Sequence, residues 1–157
     1  MIVKVKKLNE NAVIPKKAHS TDAGFDLVAT SVEYDKTGSI VYGTGLAFEI
    51  PEGYVGLVFP RSSIYKQDLM LTNAVGVIDS GYRGEVMCKF KAAPYLLKKS
   101  DDVDLYTSTL PKFANTYHLG ERIAQMIIMP IPSIEFEEVD ELSSSDRGEG
   151  GYGSTGN

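Results

Sequence analysis

Short runs of β-branched and aromatic residues, separated by turn-forming glycines and prolines, constrain the fold of this chain more than any other feature. Such runs are typical of β-strands. Strands are therefore predicted over six runs: Ile2–Val5, Leu46–Ile50, Tyr54–Phe59, Glu85–Phe90, Arg122–Met129 and Ile134–Val139. The last run alternates apolar and polar residues over its first four positions, as a strand with one buried face should.

Turn signals separate the runs, at Lys36–Gly38, Pro51–Gly53, Asp79–Gly81 and Leu119–Gly120. No stretch carries a sustained apolar stripe at helical spacing, and we expect at most a turn or two of helix, over Ser62–Gln67. Many short strands joined by close turns predict an all-β fold, either a jelly roll, a sandwich or a distorted β-barrel.

Length and residue usage exclude several classes of protein. With 157 residues, 43% of them apolar, the chain has enough material for one domain with a real core. Its single cysteine, Cys88, excludes a disulfide framework and a multi-cysteine zinc site. No apolar run approaches the roughly 18 residues of a membrane span, and the first residues lack the apolar stretch of a signal peptide. We therefore expect no membrane association and a cytoplasmic location, or the host-cell cytoplasm if the protein is viral.

The charge balance argues against stable nucleic-acid binding. The net charge is −5, from 16 basic and 21 acidic residues, whereas a duplex-binding protein needs a basic face. A small anionic ligand is not excluded, because a few arginines in one pocket can bind phosphate whatever the global charge.

Two stretches stand apart from the strand pattern. Residues 92–117 are long, polar and weakly periodic, which indicates an insertion between strands. This insertion is a candidate site for an additional protein partner. Residues 143–157 begin with three serines and are rich in glycine. We expect a β domain over 1–142 and a flexible C-terminal arm over 143–157.

A glycine-rich hairpin surrounds one carboxylate. Asp79 follows the apolar pair Val77-Ile78, and glycines stand at 76, 81 and 84. We expect Asp79 at a strand end, partly shielded from water, where a carboxylate can orient and deprotonate a water molecule; the alternative is a turn-forming Asx residue. Likewise Arg61–Ser63 can bind an anion or simply cap a helix.

The tail resembles a phosphate loop only superficially. Gly148 and Gly153 have the spacing of that loop, but Ser154 stands where its lysine belongs. The alternatives are a disordered terminus and a clamp that orders on a ligand, in which Arg147 supplies charge and Tyr152 a stacking ring.

Five segments, in order and over nearly the whole chain, resemble the five motifs of the trimeric dUTP nucleotidohydrolases (dUTPases). They are Asp22–Leu27, Pro60–Ser63, Gly76–Glu85, Gly120–Gln125 and Arg147–Gly156. The resemblance implies a β jelly roll and a homotrimer whose three active sites combine motifs of different subunits. It also implies Mg²⁺-dependent hydrolysis of dUTP to dUMP and pyrophosphate, which limits uracil incorporation into DNA and supplies dUMP for thymidylate synthesis.

The resemblance assigns roles to individual residues. Asp79 matches the catalytic aspartate that activates the attacking water, and Asp26 matches an aspartate that supports the metal-bound waters. Tyr82 matches the aromatic residue against the deoxyribose. The implied phosphate-binding residues are Arg61, Ser62, Ser63 and Gln125. The implied uracil-binding elements are Asn73 and the main chain of Gly76, Val77 and Ile78. The implied tail contacts are Arg147, Gly151, Tyr152, Gly153, Ser154 and Thr155.

The chain departs from the family pattern in three places. Ser63 stands where the family usually has glycine, Tyr152 replaces the commoner phenylalanine, and the stretch 92–117 is longer than usual. Two alternative functions remain at this point. One is a dCTP deaminase-like enzyme on the same fold, which would lack the tail motif; the other is a non-catalytic regulatory protein that binds nucleotide without turnover.

Overall fold

Ten β-strands and one short 3-10 helix make up the part of the chain that the structure, a computed structural model, describes: residues 1–92 and 115–151. In chain order they are β1 (Lys4–Lys7), β2 (Phe25–Val28), β3 (Ser31–Tyr34), β4 (Ile40–Gly43), β5 (Leu46–Glu49), β6 (Tyr54–Pro60), the 3-10 helix (Ser62–Lys66), β7 (Leu69–Leu71), β8 (Gly76–Ile78), β9 (Met87–Ala92) and β10 (Arg122–Pro130).

The strands form one two-stranded and two four-stranded antiparallel sheets. Strands β1 and β5 pair with each other, and the larger sheets have the orders β2-β10-β6-β8 and β3-β4-β9-β7. Strand neighbours are mostly distant in sequence, as in folds whose chain crosses repeatedly between two sheets. In the first of the larger sheets, β10 lies in the interior, between β2 and β6.

The core lies between the two four-stranded sheets, because buried residues of both belong to one cluster. Tyr42 of β4 and Phe90 of β9 meet edge to face with ring centroids 5.8 Å apart, and Tyr117 packs 5.6 Å from Phe90. The Tyr42 hydroxyl is satisfied by donating to the Tyr117 carbonyl oxygen at 2.9 Å. Leu27 of β2 and Ile123 of β10 complete this interior from the other sheet, both without measurable exposure.

The all-β prediction is confirmed, and the short helix expected over Ser62–Gln67 is the 3-10 helix Ser62–Lys66. Strands occur at five of the six predicted runs, although β1 and β9 each begin two residues later than predicted. Among the described residues, no helix is long and apolar enough to cross a membrane.

The strand predicted over Ile134–Val139 is wrong for the single chain, because this stretch pairs with no strand in residues 1–92 and 115–151. Its apolar side chains project into solvent, with Ile134 66% and Phe136 97% exposed. The alternating pattern suits a strand, but a strand also needs a neighbour, and the described part of this chain offers it none.

Candidate active site

A polar cleft forms where the first, second and fourth motif segments meet. Strand β10 places Gln125 opposite Asp26 of β2 and Ala124 opposite Pro60 of β6, so three motifs that are far apart in sequence converge. The cleft has a volume of about 280 Å³. It is lined by Ala18, Asp22, Ala23, Gly24, Asp26, Arg61, Ser62 and Gln125.

Asp26 holds two arginines at this cleft. Its Oδ1 accepts a hydrogen bond from Arg61 Nε at 2.7 Å, and its Oδ2 accepts one from Arg122 Nη1 at 3.1 Å. The β2–β10 register shifts between Arg122 and Ala124, which marks a β-bulge, and Arg122 at this bulge contacts Asp26. One carboxylate therefore orients two cations, and the three side chains together keep a net positive charge.

Ser63 is part of the same arrangement. Arg61 Nη1 donates to Ser63 Oγ at 3.3 Å, so the serine at this usual glycine position has a partner. Arg61 occupies the position before the 3-10 helix and makes no side-chain capping bond. Interpretation of this segment as a mere helix cap therefore finds no support in these contacts.

Gln125 is held in place from two sides. Its Nε2 donates to the Pro60 carbonyl oxygen at 3.1 Å, which uses one of its two N–H donors. Gly24 gives it room, because a Cβ at position 24 would lie 3.2 Å from Gln125 Cβ and clash with Gln125 Oε1. Within the described residues, the other amide N–H of Gln125 has no partner and can serve a ligand.

The third motif segment forms a separate hairpin at the edge of the same sheet. Asn73 lies in the turn between β7 and β8, and β8 then pairs with β6 through Gly76, Val77 and Ile78. A Cβ at Gly76 would lie 3.3 Å from Val58 Cβ and 3.5 Å from Asn73 Nδ2. The glycine therefore lets the hairpin backbone lie close to both the sheet and the Asn73 amide.

Asp79 directly follows β8, as predicted, but it is exposed in the single chain rather than partly shielded. The turn after it closes with a hydrogen bond from Tyr82 N to the Asp79 carbonyl oxygen at 3.1 Å. The prediction of shielding took the apolar pair before Asp79 as cover, but β8 is an edge strand and one chain covers only one of its sides.

The single chain does not bring Asp79 to the cleft. The register pairs Ile78 with Gly56, so Asp79 is level with Val55, at the opposite end of β6 from Arg61. Six residue steps along a strand, at about 3.3 Å each, separate these positions by about 20 Å. In one chain the candidate base and the candidate phosphate-binding residues are therefore not adjacent.

The described part of the tail is hydrogen-bonded within itself. Arg147 Nε donates to the Gly150 carbonyl oxygen at 2.8 Å, and Gly148 N donates to the Ser145 carbonyl oxygen at 3.1 Å. Gly151 is exposed. The remaining predicted tail contacts, Tyr152, Gly153, Ser154 and Thr155, lie outside the described residues.

The ends of the predicted insertion join the body of the domain. Asp68 N donates to the Asn115 carbonyl oxygen at 2.9 Å, and Asn115 N donates to the Asp68 carboxylate at 2.7 Å. Burial raises the pKa of the Tyr117 phenol, and the positive charge of Arg61 acts in the opposite direction. Residues 93–114, which hold most of the insertion, lie outside the described residues.

The cleft fits a magnesium ion that arrives on a phosphate ligand. Asp22 and Asp26 both line it, while no group of three or more His, Cys, Asp or Glu side chains could hold a metal ion among the residues described. Each Asp26 oxygen accepts one bond from an arginine, and a carboxylate has about four acceptor sites. Room remains for metal-bound waters, which magnesium retains in sites of this kind.

Sequence reasoning assigned no role to three residues that the geometry brings into these contacts: Gly24, Glu85 and Arg122. Each lies inside one of the five motif segments. Their place within a motif segment was the signal that could have identified them. Their contacts depend on strand register and on turn geometry, which residue types alone do not give.

Comparison with known proteins gives a consistent result. The chain matches the family model described as dUTPase over residues 10–94 and 102–156. The deoxyuridine 5'-triphosphate nucleotidohydrolase of Clostridium acetobutylicum is 38% identical over 159 residues, which cover 98% of this chain and 96% of that protein. The enzyme of the same name from Nautilia profundicola is 40% identical over 158 residues, which cover 99% of each.

Solved structures agree with these relatives. The dUTPase of Staphylococcus bacteriophage 80alpha with dUpNHpp has a TM-score of 0.76 and 33% identity, over 99% of both chains. A mutant dUTPase from phage phi11 of S. aureus, whose structure is described as revealing the coordination of a structural Mg(II) ion, has a TM-score of 0.68 and 29% identity. That match covers 90% of this chain and 98% of the phage chain.

Proposed function

The chain belongs to the dUTPase family and hydrolyses dUTP to dUMP and pyrophosphate, and we propose that Asp79 is the general base of this reaction. Hydrolysis at the α-phosphate needs a positioned water, a group that accepts its proton, and neutralisation of the triphosphate charge. Asp79 is exposed and directly follows β8, the second strand of the hairpin proposed to bind the nucleoside. From there it accepts the proton as the water oxygen bonds to phosphorus and pyrophosphate leaves.

The nucleoside binds along the β7–β8 hairpin in this proposal. Asn73 and the main chain of Gly76, Val77 and Ile78 supply the polar groups that read uracil, and selection follows because a mismatched base edge would leave buried polar groups unpaired. The Tyr82 ring packs against the deoxyribose, where it leaves no space for a 2′-hydroxyl. The length of β8 separates the Asn73 turn from Asp79. This spacing suits uracil bound at the Asn73 end and the α-phosphate bound beside Asp79.

The cleft of a neighbouring subunit binds the triphosphate. Arg61, whose Nε is fixed by Asp26, directs its remaining guanidinium donors to the phosphates, with Ser62, Ser63 and the free N–H of Gln125 beside it. Asp26 would hold the water shell of a magnesium ion bound to the triphosphate, and this ion would supply further charge neutralisation. The tail residues Arg147, Gly151, Tyr152, Gly153, Ser154 and Thr155 close over the nucleotide and exclude bulk water.

A homotrimer with shared sites is supported by the separation of Asp79 from Arg61. Because about 20 Å of β6 lies between these two positions, one chain cannot place the base beside the phosphates that its own arginine holds. The segment after β10 adds a second support. Phe136 and Leu142 are 97% and 89% exposed, which suits a segment that another subunit covers.

The relatives and the candidate base also bear on the two alternative functions, a dCTP deaminase-like enzyme and a regulatory protein without turnover. Relatives at 38–40% identity over nearly the full length are dUTP nucleotidohydrolases, which favours dUTP over dCTP as substrate. A regulatory role without turnover would not require a carboxylate at Asp79. An additional protein partner through residues 92–117 stays a prediction, as does a location in the cytoplasm, where a free buried Cys88 is normal.

The test is pyrophosphate release from dUTP, dTTP, dCTP and UTP by the full chain and by Asp79→Asn. We expect the full chain to prefer dUTP. Asp79→Asn keeps the side-chain volume but removes the base, so turnover should fall by at least about 10²–10⁴-fold while dUTP still binds. Turnover close to that of the unaltered protein would mean that another group activates the water, and ammonia release from dCTP would favour the deaminase.

A further inference from the structure

The Tyr82 side chain is fastened to its own hairpin. Its hydroxyl donates a hydrogen bond to the Glu85 carbonyl oxygen at 3.0 Å. Its ring lies directly over Gly84, because a Cβ at that position would be 2.6 Å from Tyr82 Cζ and 3.0 Å from Cε2. Real Cβ atoms do not come this close to another carbon. Any side chain at position 84 therefore displaces the tyrosine ring.

Glu85 is itself anchored to the body of the domain. Its carboxylate accepts the Gly45 N–H at 2.7 Å, and a Cβ at Gly43 would approach the same oxygen to 2.6 Å. The next residue, Val86, is buried and donates its N–H to the Leu46 carbonyl oxygen at 2.9 Å. The carbonyl oxygen that receives the Tyr82 hydroxyl is thus fixed by the connection between β4 and β5, and not by the exposed turn.

We propose that Gly84 and Glu85 are positioning residues for the discrimination between deoxyribose and ribose: the bare Gly84 backbone and the anchored Glu85 carbonyl fix the Tyr82 ring where it excludes a 2′-hydroxyl. The inference rests on the proposed contact of Tyr82 with the sugar. Tyr82 is 42% exposed, so packing alone would leave its ring free to change rotamer. A ring that moves aside by the size of one oxygen atom admits ribose, and this makes its attachment a determinant of specificity.

The hairpin offers a matched control for this proposal. Gly81 and Gly84 lie in the same turn region, neither has a positive φ, and a Cβ at Gly81 would meet nothing within 4 Å. Gly81→Ala and Gly84→Ala thus add the same methyl group at similar backbone cost, and only the second displaces the tyrosine. Glu85→Ala removes the anchor, whereas Glu85→Gln keeps an oxygen that can accept the Gly45 N–H.

The experiment measures kcat and KM for dUTP and for UTP in these variants, in Tyr82→Phe and in Tyr82→Ala. The readout is the ratio of the two kcat/KM values, because a loss of folded enzyme cancels in this ratio. We expect Gly84→Ala to lower the preference for dUTP by about tenfold, in the range typical of a steric pocket contact. Glu85→Ala and Tyr82→Phe should lower it by less, while Glu85→Gln and Gly81→Ala should keep it.

The outcomes separate this inference from the proposed function. If Tyr82→Ala lowers the preference but Gly84→Ala and Glu85→Ala do not, Tyr82 selects the sugar without help from its supports and the inference is wrong. If Tyr82→Ala leaves the preference unchanged, the proposed sugar contact fails and the positioning role fails with it. A preference lowered equally by Gly81→Ala and Gly84→Ala would also overturn the inference, because the displaced ring would not be the cause.

Discussion

Asp26→Asn should both destabilise the protein and weaken its binding of triphosphate, because one carboxylate holds two arginines. The Asp26 side chain is 17% exposed, and its partners Arg61 and Arg122 are 24% and 53% exposed. A hydrogen bond to a charged group contributes roughly 1.5–3 kcal/mol, and a largely exposed ion pair less than about 1 kcal/mol. An asparagine keeps one acceptor oxygen at the same place, so the expected net loss is about 2 kcal/mol.

For a domain of this size, such a loss lowers Tm by roughly 4–8 °C. The unfolding measurement is made without magnesium, which separates the arginine contacts from the proposed contact with metal-bound water. The subunit concentration is held fixed, since the Tm of an oligomer depends on it. With magnesium present, kcat/KM for dUTP should fall by about 10–100-fold, because Arg61 loses the bond that orients its guanidinium.

Arg122→Gln is the matched control, since it removes only the more exposed partner of Asp26. We expect a loss of stability below about 1 kcal/mol for this variant. The reasoning is refuted if Asp26→Asn melts within a degree or so of the unaltered protein, or if Arg122→Gln costs more stability than Asp26→Asn does.

Three further predictions concern acid stability, thiol reactivity and the tail. The ion pair with Lys89, together with bonds from Thr37, holds the pKa of Asp35 well below its usual range, so this carboxylate stabilises the fold at neutral pH and stops doing so as acid protonates it. Chemical unfolding of Asp35→Asn should therefore show a weaker loss of stability below about pH 4 than the unaltered protein. Burial raises the pKa of Cys88 to about 12, so a thiol reagent at pH 8 should label it only after unfolding. Deleting residues 145–157 should leave Tm unchanged and remove most activity, and unaltered kcat/KM would contradict the proposed closure of the tail.

The strand pattern could be predicted where hydrophobic periodicity is strong, and it could not where pairing alone creates a strand. The runs that became β5, β6 and β10 are rich in apolar residues, and their bounds lie within one residue of the predicted ones. Strand β3, with the sequence Ser31–Tyr34, is exposed along its whole length and exists because β4 pairs with it. Its four residues alternate polar and apolar, but no buried face accompanies this short pattern.

The candidate site could likewise be predicted only in part from the sequence. Residue types suggested Asp79 and Arg61 as candidates, because chemistry restricts which side chains can serve as base or bind phosphate, and Gln125 was a candidate through the family resemblance. The separation of Asp79 from Arg61 could not be predicted, since it follows from the pairing of β8 with β6. The same holds for the exposed segment Ile134–Val139, whose alternation is real but whose partner strand is not within the described part of the chain.

The central claim, that each active site combines Asp79 of one subunit with Arg61 of another, is tested most directly by mixing two inactive chains. Asp79→Asn and Arg61→Gln are expressed together, mixed trimers are isolated with two different affinity tags, and pyrophosphate release from dUTP is measured. A shared site is intact when its Asp79 and its Arg61 both come from unaltered positions. A mixed trimer contains two copies of one variant and one of the other, so in a closed ring one of its three sites, or about one third, is intact. We predict recovery of about that fraction of normal activity, while each variant alone stays inactive. Mixed trimers that stay as inactive as the two parent variants would contradict the shared site.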